Sequence, residues 1–318
     1  MHPFVATDTV EHSLSPHLRR GWGEGPRRAV SYYLDLAFNG VVFGCMYALM
    51  AVGLTLVYGL LRILHIAHAA VYAFGAYVAV IVANGSGSLA LGLAASLAAA
   101  ALLGMAIYRV LYQPLLAYPP YVAMIASIGL LVLMEDGFRI AFGEQGLTFA
   151  RNPYPTQLHE FAGLTVNTVQ IAIIGASTLC LILLALFTSR TRIGIGWRAT
   201  VSDPAMAASF GVNAIKVRYL NFAIGSALAA LAGALIALLD NFVEPTMGFV
   251  VSYKALAVIV LGGLGSLQGT LVASLALGLI ESYGTIFVGR FMDRDAIAFL
   301  FLIAVLIVRP QGLAWKAA

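Results

Sequence analysis

Charge is what this sequence has least of. Only 10% of its 318 residues are Asp, Glu, Lys or Arg, while 61% are hydrophobic and the mean hydropathy is +0.92. Soluble domains carry about 25% charged residues, so most of this chain cannot present a surface to water, and a soluble globular reading is excluded. Cysteine is equally scarce. Cys45 and Cys180 both lie inside apolar stretches and read as small packing residues, not as a disulfide. Residues 1–30 are polar, with Arg19, Arg20, Arg27 and Arg28 set against Asp8, Glu11 and Glu24. They contain no apolar core of signal-peptide length and read as a flexible tail ahead of a single membrane domain over 31–318. No phosphate-binding G-x-x-x-x-G-K-[ST] pattern, nucleophile–base pair or metal-ligand cluster occurs, so neither an enzyme nor a cofactor is expected. The net charge of +4 is not organised into a basic stripe with interleaved aromatics, which removes nucleic acid as a partner; the bases read as loop anchors beside apolar spans.

What the chain does have is a succession of long apolar runs. A bilayer core about 30 Å thick needs roughly 20 apolar residues in helical form. Stretches meeting or approaching that length run over 34–60, 63–84, 88–108, 120–142, 168–188, 219–239, 251–263, 267–288 and 296–308. The fold class that follows is all-α: a polytopic transmembrane bundle of eight or nine segments in contact with membrane lipid. Gly40 and Gly44 form a small-xxx-small pair, which lets helices approach closely in lipid. The run 262–269 (GGLGSLQG) reads as a tight bend between two membrane segments.

The loops differ in charge. Residues 190–218 carry Arg190, Arg192, Arg198, Lys216 and Arg218 against Asp203 alone, whereas 143–167 carry Arg151 with Glu144 and Glu160. The positive-inside rule makes the first loop cytoplasmic and the second its opposite. Nine full crossings then put the tail outside, which its four arginines oppose. One span is therefore expected to be broken or re-entrant, with 60–72 around Arg62 as the foremost place.

Inside the basic loop, Ser202 and Asp203 suit an N-cap, Pro204 a first turn and Gly211 a C′ position. The spacing predicts a two-turn helix on which Met206 and Phe210 share a face. Such a helix is unstable alone in water, so it must rest on the bilayer, on the body of the protein or on another subunit.

Ionisable residues near or inside the spans form a second set of candidates, because such groups face bundle interiors and pathways. His65 and His68 are three apart and predicted to share a helix face with Arg62 or Tyr72; Glu281 stands alone well within a span. Glu135, Asp136 and Arg139 have the spacing of an interfacial ion pair, and Asp240, Glu244 and Lys254 are read in the same way.

Several ordered blocks carry a resemblance. They are Asn39-Gly40, Tyr47-Ala48-Leu49, the run 52–59 (VGLTLVYG), Ala67-His68, Gly75-Ala76-Tyr77, Trp197-Arg198-Ala199, Asp203, Met206-Ala207, Gly211-Val212-Asn213 and 257–266 (AVIVLGGLGS). Over about residues 36–315 the chain resembles the permeases of branched-chain amino acid ABC importers, the first of their two permease types. The resemblance implies residence in a bacterial inner membrane, a second permease subunit of related fold, two cytoplasmic ATPase subunits and a solute-binding protein on the outer face. It also implies that Asp203, Met206, Ala207, Phe210 and Gly211 belong to a coupling helix seated in an ATPase cleft. The translocation path is expected along Arg62, His65, His68, Tyr72 and Glu281. The chain reads His65-Ile66-Ala67-His68-Ala69 where the family commonly has Asn-Phe-Ala-His-Gly, so urea or a short-chain amide stands as an alternative solute. An ion-coupled carrier or channel using Glu281 or the Glu135–Asp136 pair is the alternative mechanism.

Overall fold

The computed structural model describes residues 26–150, 158–161, 164–289 and 291–308. Helix α1 (Pro26–Leu61) is followed by a non-helical break and then α2 (His68–Ser86), α3 (Leu89–Leu115) and α4 (Pro120–Phe142). A two-stranded antiparallel hairpin, β1 (Leu158–Phe161) and β2 (Leu164–Asn167), precedes α5 (Thr168–Arg190). The basic loop folds into α6 (Arg192–Ser202) and α7 (Pro204–Ser209). The chain returns through α8 (Ala214–Asp240), α9 (Met247–Gly262), α10 (Leu267–Val288) and α11 (Arg294–Val308). Among the described residues seven helices are long and apolar enough to cross a membrane, and α9 is a shorter apolar helix. The all-α polytopic bundle expected from the sequence is the fold observed. Residues 1–25 of the expected tail lie outside the described residues, and α1 already begins at Pro26.

Without a hydrophobic drive between helices in lipid, close packing must hold the bundle together. One close seam is α1 against α10, where Gly40 and Gly44 do what their spacing predicted. A Cβ added at Gly40 would lie 2.9 Å from the Leu279 Cα, and one at Gly44 would lie 3.0 Å from the Leu275 Cα. Backbones approach this closely only where a side chain is missing. By contrast α4 and α5 leave most of their apolar surface uncovered, with Leu133, Ile140, Leu179 and Leu183 exposed, as suits faces turned to lipid.

Two networks define the ends. At one end the backbone N–H of Thr165 in the hairpin donates to Asp35 Oδ1 at 3.0 Å, and Gln170 donates to Asn39 at 2.7 Å. Helix α5, 23 residues and so about 35 Å long, separates this end from the basic loop. Helix α1 therefore enters from the hairpin end, opposite the loop with the arginine excess.

The break expected near Arg62 is present, but it is a turn between two helices and not a missing crossing. Arg62, with φ +56°, leaves α1 in the left-handed region, and its N–H donates to the Tyr58 carbonyl at 2.7 Å. The next helix begins only at His68, and the Ala67 N–H is held by Ser127 Oγ of α4 at 2.9 Å. The truncated segment is instead α9, 16 residues long. The 262–269 bend lies between α9 and α10 as expected, with Gly263 and Gly265 at φ +86° and +85°.

Candidate functional site: a cavity near the hairpin and a capped helix in the basic loop

Near the hairpin end, α1, α2, α8, α9 and α11 enclose a cavity of about 140 Å³ lined by Phe43, Met46, Tyr47, Tyr72, Ile236, Val251, Lys254 and Arg294. Its floor is a buried ionic network. Lys254 Nζ lies 3.0 Å from Tyr47 Oη, 3.1 Å from Glu281 Oε1 and 2.8 Å from Asp295 Oδ1. Tyr47 in turn donates to Glu281 Oε2 at 2.7 Å. The ammonium group donates to Tyr47 on α1 and is ion-paired with Glu281 on α10 and Asp295 on α11. Lys254 and Glu281 are almost fully buried, while the Asp295 side chain is 47% exposed. Charges at such depth persist only when paired and hydrogen-bonded. The reading of Lys254 as an interfacial residue is thus corrected: the short α9 carries it inward to Glu281. The sequence offered a signal, since each stands as an isolated charge within its own apolar run and an isolated charge in a span needs a partner. Tyr47 and Arg294 carried no such signal, because a tyrosine in a helix and an arginine at a helix start are ordinary.

The expected path residues separate into groups. Tyr72 lines the cavity and Glu281 sits beneath it through Lys254. His65 and His68 are fully buried one to two turns further in. His65 Nδ1 lies 2.7 Å from Tyr112 Oη of α3, and its ring packs on His68 and Phe222. The two histidines do not share a helical face, because His65 lies in the break ahead of α2; the turn places their ring centroids 5.6 Å apart. The His68 ring abuts Gly53 of α1, where an added Cβ would lie 2.8 Å from Nε2. Arg62 is exposed and away from the cavity. The Glu135–Asp136–Arg139 group is the local ion pair that its spacing predicted, with Arg139 2.9 Å from Asp136 and 3.9 Å from Glu135.

At the opposite end, the two ends of α7 are set by local capping. Asp203 Oδ1 accepts from the N–H groups of Ala205 and Met206, both at 2.9 Å, and Pro204 occupies the first turn. The helix closes in a Schellman motif: Gly211 N–H donates to Ala208 O, Val212 N–H donates to Ala207 O, and Gly211 has φ +82°. Ala207 is buried against the body, whereas Met206 is 56% and Phe210 81% exposed. The preceding helix is latched to the bundle. Trp197 Nε1 donates to Asn221 Oδ1 at 3.0 Å, and Asn221 Nδ2 donates to the Leu56 carbonyl of α1 at 2.9 Å. The loop is thereby joined to α8 and α1 through one amide.

Comparisons with known proteins agree with this architecture. The family described as "Branched-chain amino acid transport system / permease component" matches residues 36–309. The chain is 31% identical to the Escherichia coli K12 high-affinity branched-chain amino acid transport system permease protein LivH, covering 89% of this chain and 95% of that one. It is 32% identical to BraD of Pseudomonas aeruginosa, over 89% and 96% of the two chains. It is 27% identical to LivM of E. coli K12, the permease of a second type, over 84% of this chain and 67% of that one. PsaBC from Streptococcus pneumoniae in complex with Fab aligns with a TM-score of 0.43 at 14% identity, over 88% of this chain and 90% of that one, too distant to bear on the fold. With seven candidate spans and a family match over most of its length, this chain is a multi-pass membrane transport subunit and belongs to the branched-chain amino acid permease family.

Proposed function

We propose that this chain is one of two permease subunits of an ATP-driven importer in the inner membrane, and that it carries branched-chain amino acids inward. The partners of this reading are a related second permease, two cytoplasmic ATPases and a solute-binding protein on the hairpin side. The observation that carries it is the pair Met206 and Phe210, exposed on a helix capped at both ends and tied to the bundle through Trp197 and Asn221. An apolar pair held out from a rigid helix at the basic end is an anchor for a protein cleft. Asp203 and Gly211 set the ends of this coupling helix, and Ala207 seats it.

In this mechanism ATP-driven closure of the ATPases moves α7, and Asn221 passes the movement to α1 and α8. The transport path begins at the outer cavity beside Tyr72 and above Glu281. Towards the cytoplasm it is shut by His65 and His68, packed against Gly53, Tyr112 and Phe222, and Arg62 marks its inner mouth. The driving force must come from the different affinities of the ATPases for the two states, since a permease can only respond to such a bias.

The test is co-purification of the ATPases with the Met206→Asp/Phe210→Asp double variant. Loss of the ATPases with unchanged thermal unfolding of the permease is expected. Retained association removes the coupling role of α7. Leucine uptake by the purified chain alone in liposomes, driven by an ion gradient, would replace this reading with a secondary carrier.

A further inference from the structure

The outer cavity is apolar on most of its walls, yet it contains two cations of different standing. Lys254 is saturated by Tyr47, Glu281 and Asp295. Arg294 stands outside that network: its guanidinium lies over the Phe43 ring, 4.0 Å from the centroid, and among the described residues it forms no ion pair within 4 Å, although the Asp240 and Glu281 carboxylates are within reach of its charge. A guanidinium stacked on an aromatic face keeps its N–H edge free, and that edge matches a carboxylate bidentately. The lining also holds Met46, Ile236 and Val251, which suit an aliphatic body and cannot satisfy a second charge. A cavity with one cation in no close ion pair and an apolar lining selects a ligand with the same division.

We propose that this cavity is a solute-binding site, with Arg294 as the carboxylate anchor and the Met46, Ile236 and Val251 wall as the seat of a branched aliphatic chain. The inference rests on the importer reading and goes further by naming where the solute is held and by which end. The carboxylate is recognised directly by Arg294, whereas the ammonium group meets no carboxylate on the cavity wall and contributes less. Lys254, held in its network, shapes the floor without touching the solute.

The test uses the full chain in membranes of the expressing cell, with Cys45 and Cys180 replaced by Ala and Val251→Cys as reporter. Modification of that thiol by a polar thiol reagent is followed with leucine, 4-methylpentanoate (the acid lacking the amine) or 3-methylbutylamine (the amine lacking the acid) present. Leucine and 4-methylpentanoate are expected to protect the thiol and the amine is not. Arg294→Gln is expected to raise the half-protecting leucine concentration at least about tenfold, the loss of one charged hydrogen-bonding pair. Arg294→Lys is expected to stay closer to the parent. No protection by any ligand, protection by the amine equal to that by the acid, or an Arg294→Gln value equal to the parent's overturns the proposal. Should Arg294→Gln fail to fold, Ile236→Trp fills the cavity and must abolish protection; unchanged protection again overturns it. Leucine uptake by cells carrying the unmodified transporter is measured alongside. Its presence with a failed protection result removes this site alone, and its absence removes the importer reading.

Discussion

The two ends of this molecule solve opposite problems. At the hairpin end, charge is hidden: Lys254 and Glu281 are buried and held together only because α1, α9, α10 and α11 meet there. At the end with the basic loop, apolar surface is shown: Met206 and Phe210 project from a short helix capped at both ends and seated through Ala207. A buried charge needs partners from distant parts of the chain, whereas a capped helix needs residues within ten positions. The first arrangement is therefore costly to break and the second cheap, although the second is the one proposed to contact a partner.

That contrast can be broken most severely at Lys254. Lys254→Met leaves Glu281 without its buried partner and should destabilise the chain by about 3–5 kcal/mol, seen as a large fall in thermal unfolding temperature in detergent. Lys254→Met/Glu281→Met removes both charges and should recover much of that loss. A double variant no better than the single one would mean that the packing of the two chains, not their charge, is what matters. Next in size is Asn221→Leu, which strips Trp197 Nε1 and the Leu56 carbonyl of their shared partner and should cost about 1–3 kcal/mol. In the intact transporter it should lower uptake by more than its effect on stability accounts for, because it also unlatches the loop from α1.

Asp203→Ala removes the N-cap of α7 and should cost about 1 kcal/mol, confined to that helix. Hydrogen exchange would quicken over 204–210 while the outer cluster stays protected. Smallest is Arg139→Ala. Its ion pair is of the same kind as the one at Lys254 but half exposed at a helix end, and its loss should change stability by a few tenths of a kcal/mol. An effect as large as that of Lys254→Met would show that burial is not what distinguishes the two.

The apolar runs, the bend at 262–269, the close-packing role of Gly40 and Gly44, and the capped helix with Met206 and Phe210 on one face were all legible in the sequence; that this pair is exposed was not. Each depends on neighbours a few positions away or on a single physical requirement, such as the length of helix needed to cross lipid. The meeting of Lys254 with Glu281, the latch of Trp197 to Leu56 through Asn221, and the entry of α1 from the hairpin face were decided by tertiary structure. Tyr47 and Lys254 are 207 positions apart, and Asn221 and Leu56 are 165 apart. No local pattern specifies such pairings, because the free energy that selects them, the relief of an unpaired polar group away from water, exists only once the helices have packed.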